Sequence, residues 1–114
     1  MIEDRLSWLS GYRALWMIVM FDLPVKTKKE RKKATRFRNF LLDQGFSMAQ
    51  LSIYHRLLTG KEAAVRLERR IKLSLPGNGK VQLLVITDKQ YENIKTYRGK
   101  KQEPQEIPEQ LMLF

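Results

Sequence analysis

An uninterrupted apolar run, Trp16–Phe21, leads directly into a single carboxylate, Asp22. A short apolar run bounded by a breaker predicts a central strand covered on both faces, although periodicity alone is also compatible with a buried helix. Pro24 cannot donate a hydrogen bond to a sheet, so the strand is expected to end near Leu23. Asp22 is therefore predicted at the carboxyl end of a core strand, where it serves either as a turn or cap residue or as a ligand.

Two amphipathic helices are predicted from apolar positions that recur with a period near 3.6. The first opens with a Thr-x-x-Glu capping box at 27–30 and is expected to end near Gly45. The second opens with the same pattern at 59–62 and ends at a turn rich in Pro and Gly over 76–79. Their predicted core positions are Ala34, Phe37 and Leu41 in the first helix and Ala64, Leu67, Ile71 and Leu75 in the second.

Period-2 alternation, typical of strands, occupies the stretch between the two helices and a stretch after them. Over 46–58 its phase changes near Gln50, which predicts either a bulge or two consecutive strands. The segment 81–87 predicts a further strand, and a short helix capped by Thr87 and Asp88 is expected over 89–97. The positions predicted to be buried in the later strand are Leu83, Leu84, Val85 and Ile86.

The order of these elements predicts the architecture. Residues 1–15 form an N-terminal arm, either a short helix or a packed segment, and 16–97 form the domain. Residues 98–109 are predicted to be a linker, and 110–114 a C-terminal strand added to the chain's own sheet or to a partner's. The order β-α-β-β-α-β predicts an α+β, ferredoxin-like sandwich with this extra strand. One sheet face would remain largely uncovered, so we expect a homodimer.

Composition narrows the function classes. The 114 residues contain no cysteine and one histidine, which excludes disulfides, thiolate zinc sites and multi-histidine metal sites within one chain. The net charge of +10 predicts a polyanionic partner, nucleic acid first and an anionic membrane second; a basic protein that binds neither is the remaining alternative. No apolar stretch approaches the ~20 residues of a membrane span, so we expect a cytoplasmic protein without a membrane partner.

The positive charge is concentrated in the first predicted helix. Between Lys26 and Arg38 there are eight basic residues and one acidic residue. A solvated helix face normally alternates signs, because like charges at i,i+4 repel by a few tenths of a kcal/mol. We therefore favour sequence-independent phosphate binding over a merely solvated face. The residues assigned to it, most of them placed by the helical wheel on the face away from Phe37, are Lys26, Lys28, Lys29, Lys32, Lys33 and Arg36, together with Arg56 near the end of the 46–58 stretch.

Six segments of the sequence occur in a distinctive order: Met20–Pro24, Thr27–Arg31, Gln50–Arg56, Leu75–Val81, Thr87–Tyr91 and Gln110–Phe114. Together they resemble the CRISPR-associated Cas-two family, and the resemblance runs from about Tyr12 to the C-terminus. The last three segments are similar to those of members from type II systems, which accompany the Cas-nine nuclease.

The resemblance implies a ferredoxin-like homodimer whose C-terminal strand crosses onto the partner subunit's sheet. It also implies a place in the spacer-acquisition complex, where the dimer bridges two dimers of the integrase Cas-one and supports double-stranded protospacer DNA. The residues expected in the crossing strand are Leu111, Met112, Leu113 and Phe114.

Members of the family are also described as metal-dependent nucleases for RNA or DNA, with the aspartate after the first strand as metal ligand. Asp22 matches that position, so the resemblance implies a catalytic, Mg²⁺-binding role, with two copies of Asp22 sharing one cation in a dimer. Phosphodiesterase centres generally need an activated water and often a second acid or base. The nearby carboxylate, Glu30, belongs to the predicted capping box, and we therefore rank a scaffold above a nuclease.

A third hypothesis is a ferredoxin-like RNA-binding or small-molecule regulatory domain. The predicted strands lack the exposed aromatic pairs that RNA-recognition sheets use for stacking, and no glycine-rich phosphate loop is present. This hypothesis ranks below the other two.

Overall fold

The computed structural model describes residues 1–99. Four helices, one 3₁₀ turn and four strands alternate along this part of the chain. In chain order they are α1 Ile2–Arg5, the 3₁₀ turn Ser7–Leu9, β1 Leu15–Asp22, α2 Lys28–Asp43, β2 Ser47–Gln50, β3 Ile53–Leu58, α3 Lys61–Leu73, β4 Lys80–Thr87 and α4 Asp88–Glu92.

The strands form one antiparallel sheet in the order β2-β3-β1-β4. The central strand β1 pairs with β3 from Leu15 to Met20 and with β4 along its whole length, which brings Asp22 opposite Lys80. The predicted α+β, ferredoxin-like class is therefore confirmed. The phase change near Gln50 corresponds to two strands paired as a hairpin, with a register shift in β2. The predicted C-terminal strand over 110–114 lies outside the described residues.

The core lies on one face of the sheet, where α2 and α3 pack. In β1 the side chains of Leu15, Met17 and Val19 are fully buried and alternate with half-buried neighbours such as Trp16 and Ile18. The prediction that β1 is covered on both faces is therefore wrong for the single chain. Helix α2 connects β1 to β2 across β3, and α3 connects β3 to β4 across β1. Both connections join parallel strands, so the same handedness places both helices on one side of the sheet.

Strand β4 shows the same one-sided burial. Val85 is buried, whereas Leu84, the preceding residue, keeps 45% of its surface exposed, and Leu83 and Ile86 are half-buried. The prediction of four consecutive buried residues is thus wrong at Leu84. Successive side chains of a strand point to opposite faces, so only every second residue of β4 reaches the core.

Some helix ends follow the sequence signals and others do not. Thr27 and Glu30 form the predicted capping box of α2, and Gly45, with a φ of 89°, follows the helix end. A capping box also forms at Thr87, although α4 ends at Glu92 and not at 97. The box predicted at Thr59 does not form, because Gly60 is the N-cap of α3 and no side chain caps that end.

The N-terminal arm is both a short helix and a packed segment. Leu6 and Leu9 are buried in the core. Two ion pairs, Arg5–Glu68 and Arg69–Glu3, join the arm to α3. A backbone hydrogen bond at Glu3, followed by the hydrogen bond from the Arg69 guanidinium, holds the pKa of the Glu3 carboxyl below its usual value. The arm is thus attached to the domain by apolar burial and by charge.

Candidate nucleic-acid interface

The basic face of α2 is an open, shallow groove on the outside of the molecule. Its volume is about 770 Å³, and it runs along the helix for more than three turns. Phe40 contributes apolar surface to the groove, and Asp43 lies at its far end. The lining residues are Lys28, Arg31, Lys32, Thr35, Arg36, Asn39, Phe40 and Asp43. The spacing i, i+4 (28, 32, 36) places three predicted cations on one side of the helix.

Lys33 does not lie on the face away from Phe37, which is where the helical wheel was expected to place it. It is half-buried and lines a second groove, of about 390 Å³, between α2 and the segment Ser74–Pro76. Residues four apart lie above one another on a helix, so Lys33 and Phe37 share a face. Arg36 lines both grooves and connects them into one continuous basic surface.

The cations of α2 have no acidic partners within the part of the chain that the structure describes. The two ion pairs of residues 1–99 both join the N-terminal arm to α3. Glu30 instead accepts hydrogen bonds from the backbone N–H groups of Lys26 and Thr27, at 3.0 and 2.9 Å. The positive charge of this surface is therefore left for an external anion.

Two further arginines of α2, which the sequence analysis did not single out, have structural contacts. Arg31 Nη1 donates to the carbonyl oxygens of Val25 and Lys26, at 3.1 and 2.9 Å, and so holds the loop before the helix. Arg38 Nε donates to the Tyr54 hydroxyl at 2.8 Å. Arg31 also lines the basic groove, and its spacing of three residues from Lys28 was the signal that could have identified it.

Arg56 lies apart from the basic face, at the opposite end of α2. Its Nη1 donates to the Gln44 carbonyl oxygen at 2.7 Å, and its side chain passes over Gly45. A Cβ atom at Gly45 would stand 3.2 Å from Arg56 Nε. Arg56 thus satisfies a carbonyl at the C-terminal end of the helix, a role favoured by the helix dipole. The structure does not bring it together with Lys28, Lys32 and Arg36.

Asp22 is the last residue of β1, on the sheet face that the helices leave open. Its side chain is exposed, and the register places it opposite Lys80 of β4. It lines a surface depression of about 300 Å³ beside the β2–β3 turn, where Ser52 adopts a φ of 63°. The Asp22 carbonyl oxygen would stand 2.6 Å from a Cβ atom at Gly79, so the loop before β4 packs closely on this strand end.

A divalent cation does not fit the residues that one chain supplies at this place. No group of three or more His, Asp or Glu residues suited to a metal occurs within residues 1–99. The residue opposite Asp22 on β4 is Lys80, whose positive charge repels a cation. Mg²⁺ is usually held by one or two carboxylates with waters or phosphates, so a site at Asp22 needs oxygens from a second chain or from a substrate.

His55 belongs to an aromatic cluster on the open sheet face. Its Nδ1 lies 2.7 Å from the Tyr91 hydroxyl. Tyr91 stacks on Trp16 with a centroid distance of 3.9 Å, and Trp16 Nε1 donates to Asp88 Oδ1 at 2.8 Å. His55 is therefore a hydrogen-bonded strand residue in this structure.

Comparison with known proteins identifies the family. The family model described as "CRISPR associated protein Cas2" matches residues 15–94, which span β1 through α4. The chain belongs to the Cas2 family. Asp22 and all of α2 lie within the matched range, whereas the N-terminal arm before Leu15 lies outside it. The resemblance drawn from the six segments is therefore confirmed at the level of the family.

Individual relatives agree over nearly the whole chain. A protein of Paracidovorax avenae is 50% identical over 107 residues, covering 93% of this chain and 99% of the relative. One of Flavobacterium psychrophilum is 46% identical over 115 residues, covering all of both chains, and one of Parvibaculum lavamentivorans is 46% identical over 101 residues, covering 88% of this chain and all of the relative. All three are named CRISPR-associated endoribonuclease Cas2.

These names agree better with the nuclease hypothesis than with the higher-ranked structural one. The structure of residues 1–99 points instead to the basic surface of α2, whose cations have no acidic partners in that part of the chain. Within residues 1–99, no helix is long and apolar enough to cross a membrane.

Proposed function

We propose that this Cas2-family chain is a nucleic-acid-binding structural subunit of CRISPR spacer acquisition, acting in the cytoplasm and holding double-stranded DNA by its phosphates. The observation that carries the proposal is the surface of α2, on which Lys28, Lys32 and Arg36 face solvent without acidic partners among the described residues. Lysine and arginine contacts to phosphate give affinity that does not depend on base sequence.

The shape of the surface supports a backbone ligand. The groove along α2 is open, and Arg36 and Phe40 line both this groove and the one that contains Lys33. An extended polyanion needs a row of cations spaced over several residues, and successive helical turns separate these cations by about 5.4 Å each. Lys26 and Lys29, both exposed, extend the row toward the start of the helix.

The proposal includes a homodimer that bridges subunits of the integrase Cas-one. Supporting it, the open sheet face carries apolar side chains that single chains seldom expose together. Leu57 and Leu84 are 50% and 45% exposed, and they flank Trp16 and Ile18 on that face. A second copy, with the segment Leu111–Phe114 added as a strand, would cover them.

The test is DNA binding as a function of salt. Fluorescence anisotropy of a labelled duplex should give a plot of log affinity against log salt with a slope of about −0.9 per phosphate neutralised. A triple variant, Lys32→Glu, Lys33→Glu and Arg36→Glu, should bind much more weakly. It should also flatten the slope by about one for each cation that no longer reaches a phosphate.

The matched control reverses three exposed lysines elsewhere: Lys72→Glu, Lys89→Glu and Lys95→Glu. This control has the same net charge as the α2 variant. If only the α2 variant binds DNA more weakly, the position of the charges, and not their sum, determines the affinity. Equal weakening in both variants, or a flat salt response of the natural protein, would contradict the proposal.

The second candidate function is an endoribonuclease, which the names of the relatives favour, and we propose that it would depend on Mg²⁺. Asp22 is the residue proposed for it, with a second copy of Asp22 across a dimer axis as the additional oxygen ligand. RNA cleavage should then require added Mg²⁺, stop with chelator and disappear in Asp22→Asn. Asp4→Asn removes an exposed carboxylate from the N-terminal arm and is the control. Cleavage that persists in Asp22→Asn would remove this candidate.

A further inference from the structure

A second cationic site lies at the other end of α2, where β3 leads into α3. Three arginines, Arg56, Arg66 and Arg70, line one concavity of about 280 Å³. Thr59 lines the same concavity. None of the α2 lysines is among its lining residues, so it is separate from the groove proposed to hold DNA.

Two of the three arginines of this concavity, Arg56 and Arg70, are oriented by hydrogen bonds to neutral groups. Arg56 Nη1 donates to the backbone oxygen of Gln44 at 2.7 Å, and Arg70 Nη1 donates to the side-chain Oε1 of the same residue at 3.1 Å. Both ion pairs within residues 1–99 lie elsewhere. Gln44 therefore fixes two guanidinium groups without neutralising them, and their positive charge stays available to a ligand.

The chemistry of the lining indicates the ligand. Arginine forks bind phosphate oxygens bidentately, and charge-assisted hydrogen bonds are roughly twice as strong as neutral ones. The three arginines place three positive charges around a small volume. A ligand with more than one negative charge balances them better than a phosphodiester, which carries a single charge. A terminal phosphate carries about −1.5 to −2 at neutral pH, and a pyrophosphate group carries more.

We propose that the concavity formed by Arg56, Arg66, Arg70 and Thr59 binds a terminal phosphate or pyrophosphate group. Two sources provide this chemistry, the 5′-phosphate end of a polynucleotide and a free nucleoside diphosphate. The site goes beyond the backbone binding proposed for α2 and does not depend on it.

The first experiment is calorimetric titration of the full chain with pyrophosphate. The natural protein should bind saturably, and Arg66→Gln with Arg70→Gln should weaken binding about tenfold or more. The control Lys72→Gln with Lys95→Gln removes the same charge from exposed positions outside the concavity and should change affinity less than about twofold. No saturable binding, or equal weakening in both variants, would overturn the proposal.

A conservative variant separates fork geometry from charge. Arg66→Lys with Arg70→Lys keeps both charges but removes the planar fork, and it should still weaken pyrophosphate binding about threefold or more. Full affinity in this variant would overturn the bidentate assignment. The α2 variant described above should retain pyrophosphate binding within about twofold, so failure of this site and failure of the DNA-binding proposal are distinguishable.

The second experiment identifies the source of the phosphate. A 5′-phosphorylated oligonucleotide is compared with the same strand ending in a 5′-hydroxyl, and with ADP. Tighter binding of the phosphorylated strand, abolished in Arg66→Gln with Arg70→Gln, assigns a polynucleotide end, whereas tighter binding of ADP assigns a free nucleotide. Equal binding of both oligonucleotides with no ADP binding would show recognition of the diester backbone and overturn the proposal.

Discussion

Gly79 connects the loop before β4 to the end of β1 through a backbone contact. It adopts a φ of +73°, and a Cβ atom there would stand 2.6 Å from the Asp22 carbonyl oxygen and 3.0 Å from Leu23 Cα. A distance this short requires one backbone segment to move. Glycine at 79 therefore allows the loop before β4 to pack directly against the backbone at Asp22.

The first prediction follows from that contact. Gly79→Ala should lower the free energy of unfolding by about 3 kcal/mol, because it adds a steric clash to the cost of about 1–2 kcal/mol for a left-handed residue. Gly77→Ala is the matched control, since Gly77 has a similar φ of +88° but open space around it. Urea unfolding of both variants measures the difference. Equal destabilisation would show that the contact with Asp22 adds nothing.

The two Thr-x-x-Glu patterns show where residue-level prediction succeeded and where it failed. At Thr27 the box forms, with Glu30 N–H donating to Thr27 Oγ1 at 3.1 Å. At 59–62 the helix begins one residue later, because Gly60, at a φ of 103°, is the N-cap. A helix boundary also depends on where the preceding strand ends and in which direction the chain leaves it. A local sequence pattern does not contain that information.

The second prediction compares the two threonines. Thr27→Ala should destabilise the protein by about 1 kcal/mol, since it removes a cap that the helix uses. Thr59→Ala should change the free energy of unfolding by less than about 0.5 kcal/mol, because Thr59 does not cap α3. Thermal unfolding of both variants checks this; a decrease of similar size at Thr59 would contradict the assignment of Gly60 as the N-cap.

At the scale of elements, element type and order were predictable from the sequence, and their order also predicted that one sheet face is left largely uncovered. The apolar runs, taken alone, indicated the opposite. The run Trp16–Phe21 and the run Leu83–Ile86 are apolar throughout, which is typical of strands buried on both sides. Here the helices cover one side only, and the apolar residues of the other side, such as Leu84, stay partly exposed. The same apolar composition therefore occurs in strands that are covered on both faces and in strands that helices cover on one face only.

The third prediction uses two neighbours on β4 that point to opposite faces. Leu84→Asp should leave the secondary structure of the single chain intact and abolish dimer formation, because its side chain lies on the open face. Val85→Asp should unfold the protein, because an unpaired charge in the core costs several kcal/mol. Circular dichroism and light scattering distinguish the outcomes. A dimer that persists in Leu84→Asp would contradict association through this face.

The residues of the candidate site could be predicted from the sequence to different extents. The concentration of charge in α2 is visible in the sequence, because it depends only on local composition. The place of Lys33 beside Phe37 follows from their spacing of four residues on a helix, so it could have been predicted. The contact of Arg56 with Gln44 joins residues 12 positions apart, and no local pattern indicates it. The i,i+4 spacing of Arg66 and Arg70 places both on one side of α3, but the concavity that they line with Arg56 depends on how the end of β3 lies beside that helix.

At the scale of the whole molecule, the two proposed functions make different demands on Asp22. A scaffold needs the charged surface of α2 and the dimer, and neither requires the Asp22 carboxylate. A nuclease needs that carboxylate itself. The exposure of Asp22 and its position opposite Lys80 make it replaceable without disruption of the fold.

The fourth prediction separates these demands. In a spacer-integration assay with the cognate integrase, Asp22→Ala should integrate at the level of the natural protein and keep its dimer mass. The comparison variant is the α2 triple charge reversal, which should fail to integrate because DNA is no longer held. If Asp22→Ala fails while dimer and DNA binding persist, the carboxylate takes part in integration and the scaffold proposal is wrong.

The stacking of Trp16 on Tyr91 gives the open sheet face an optical reporter of its own. The chain has two tryptophans, and the other, Trp8, lies exposed on the N-terminal arm. A Trp8→Phe protein would therefore emit from Trp16 alone. Its emission maximum would shift to shorter wavelength whenever another surface covers the sheet, so simple dilution in a fluorimeter would follow assembly without any attached dye.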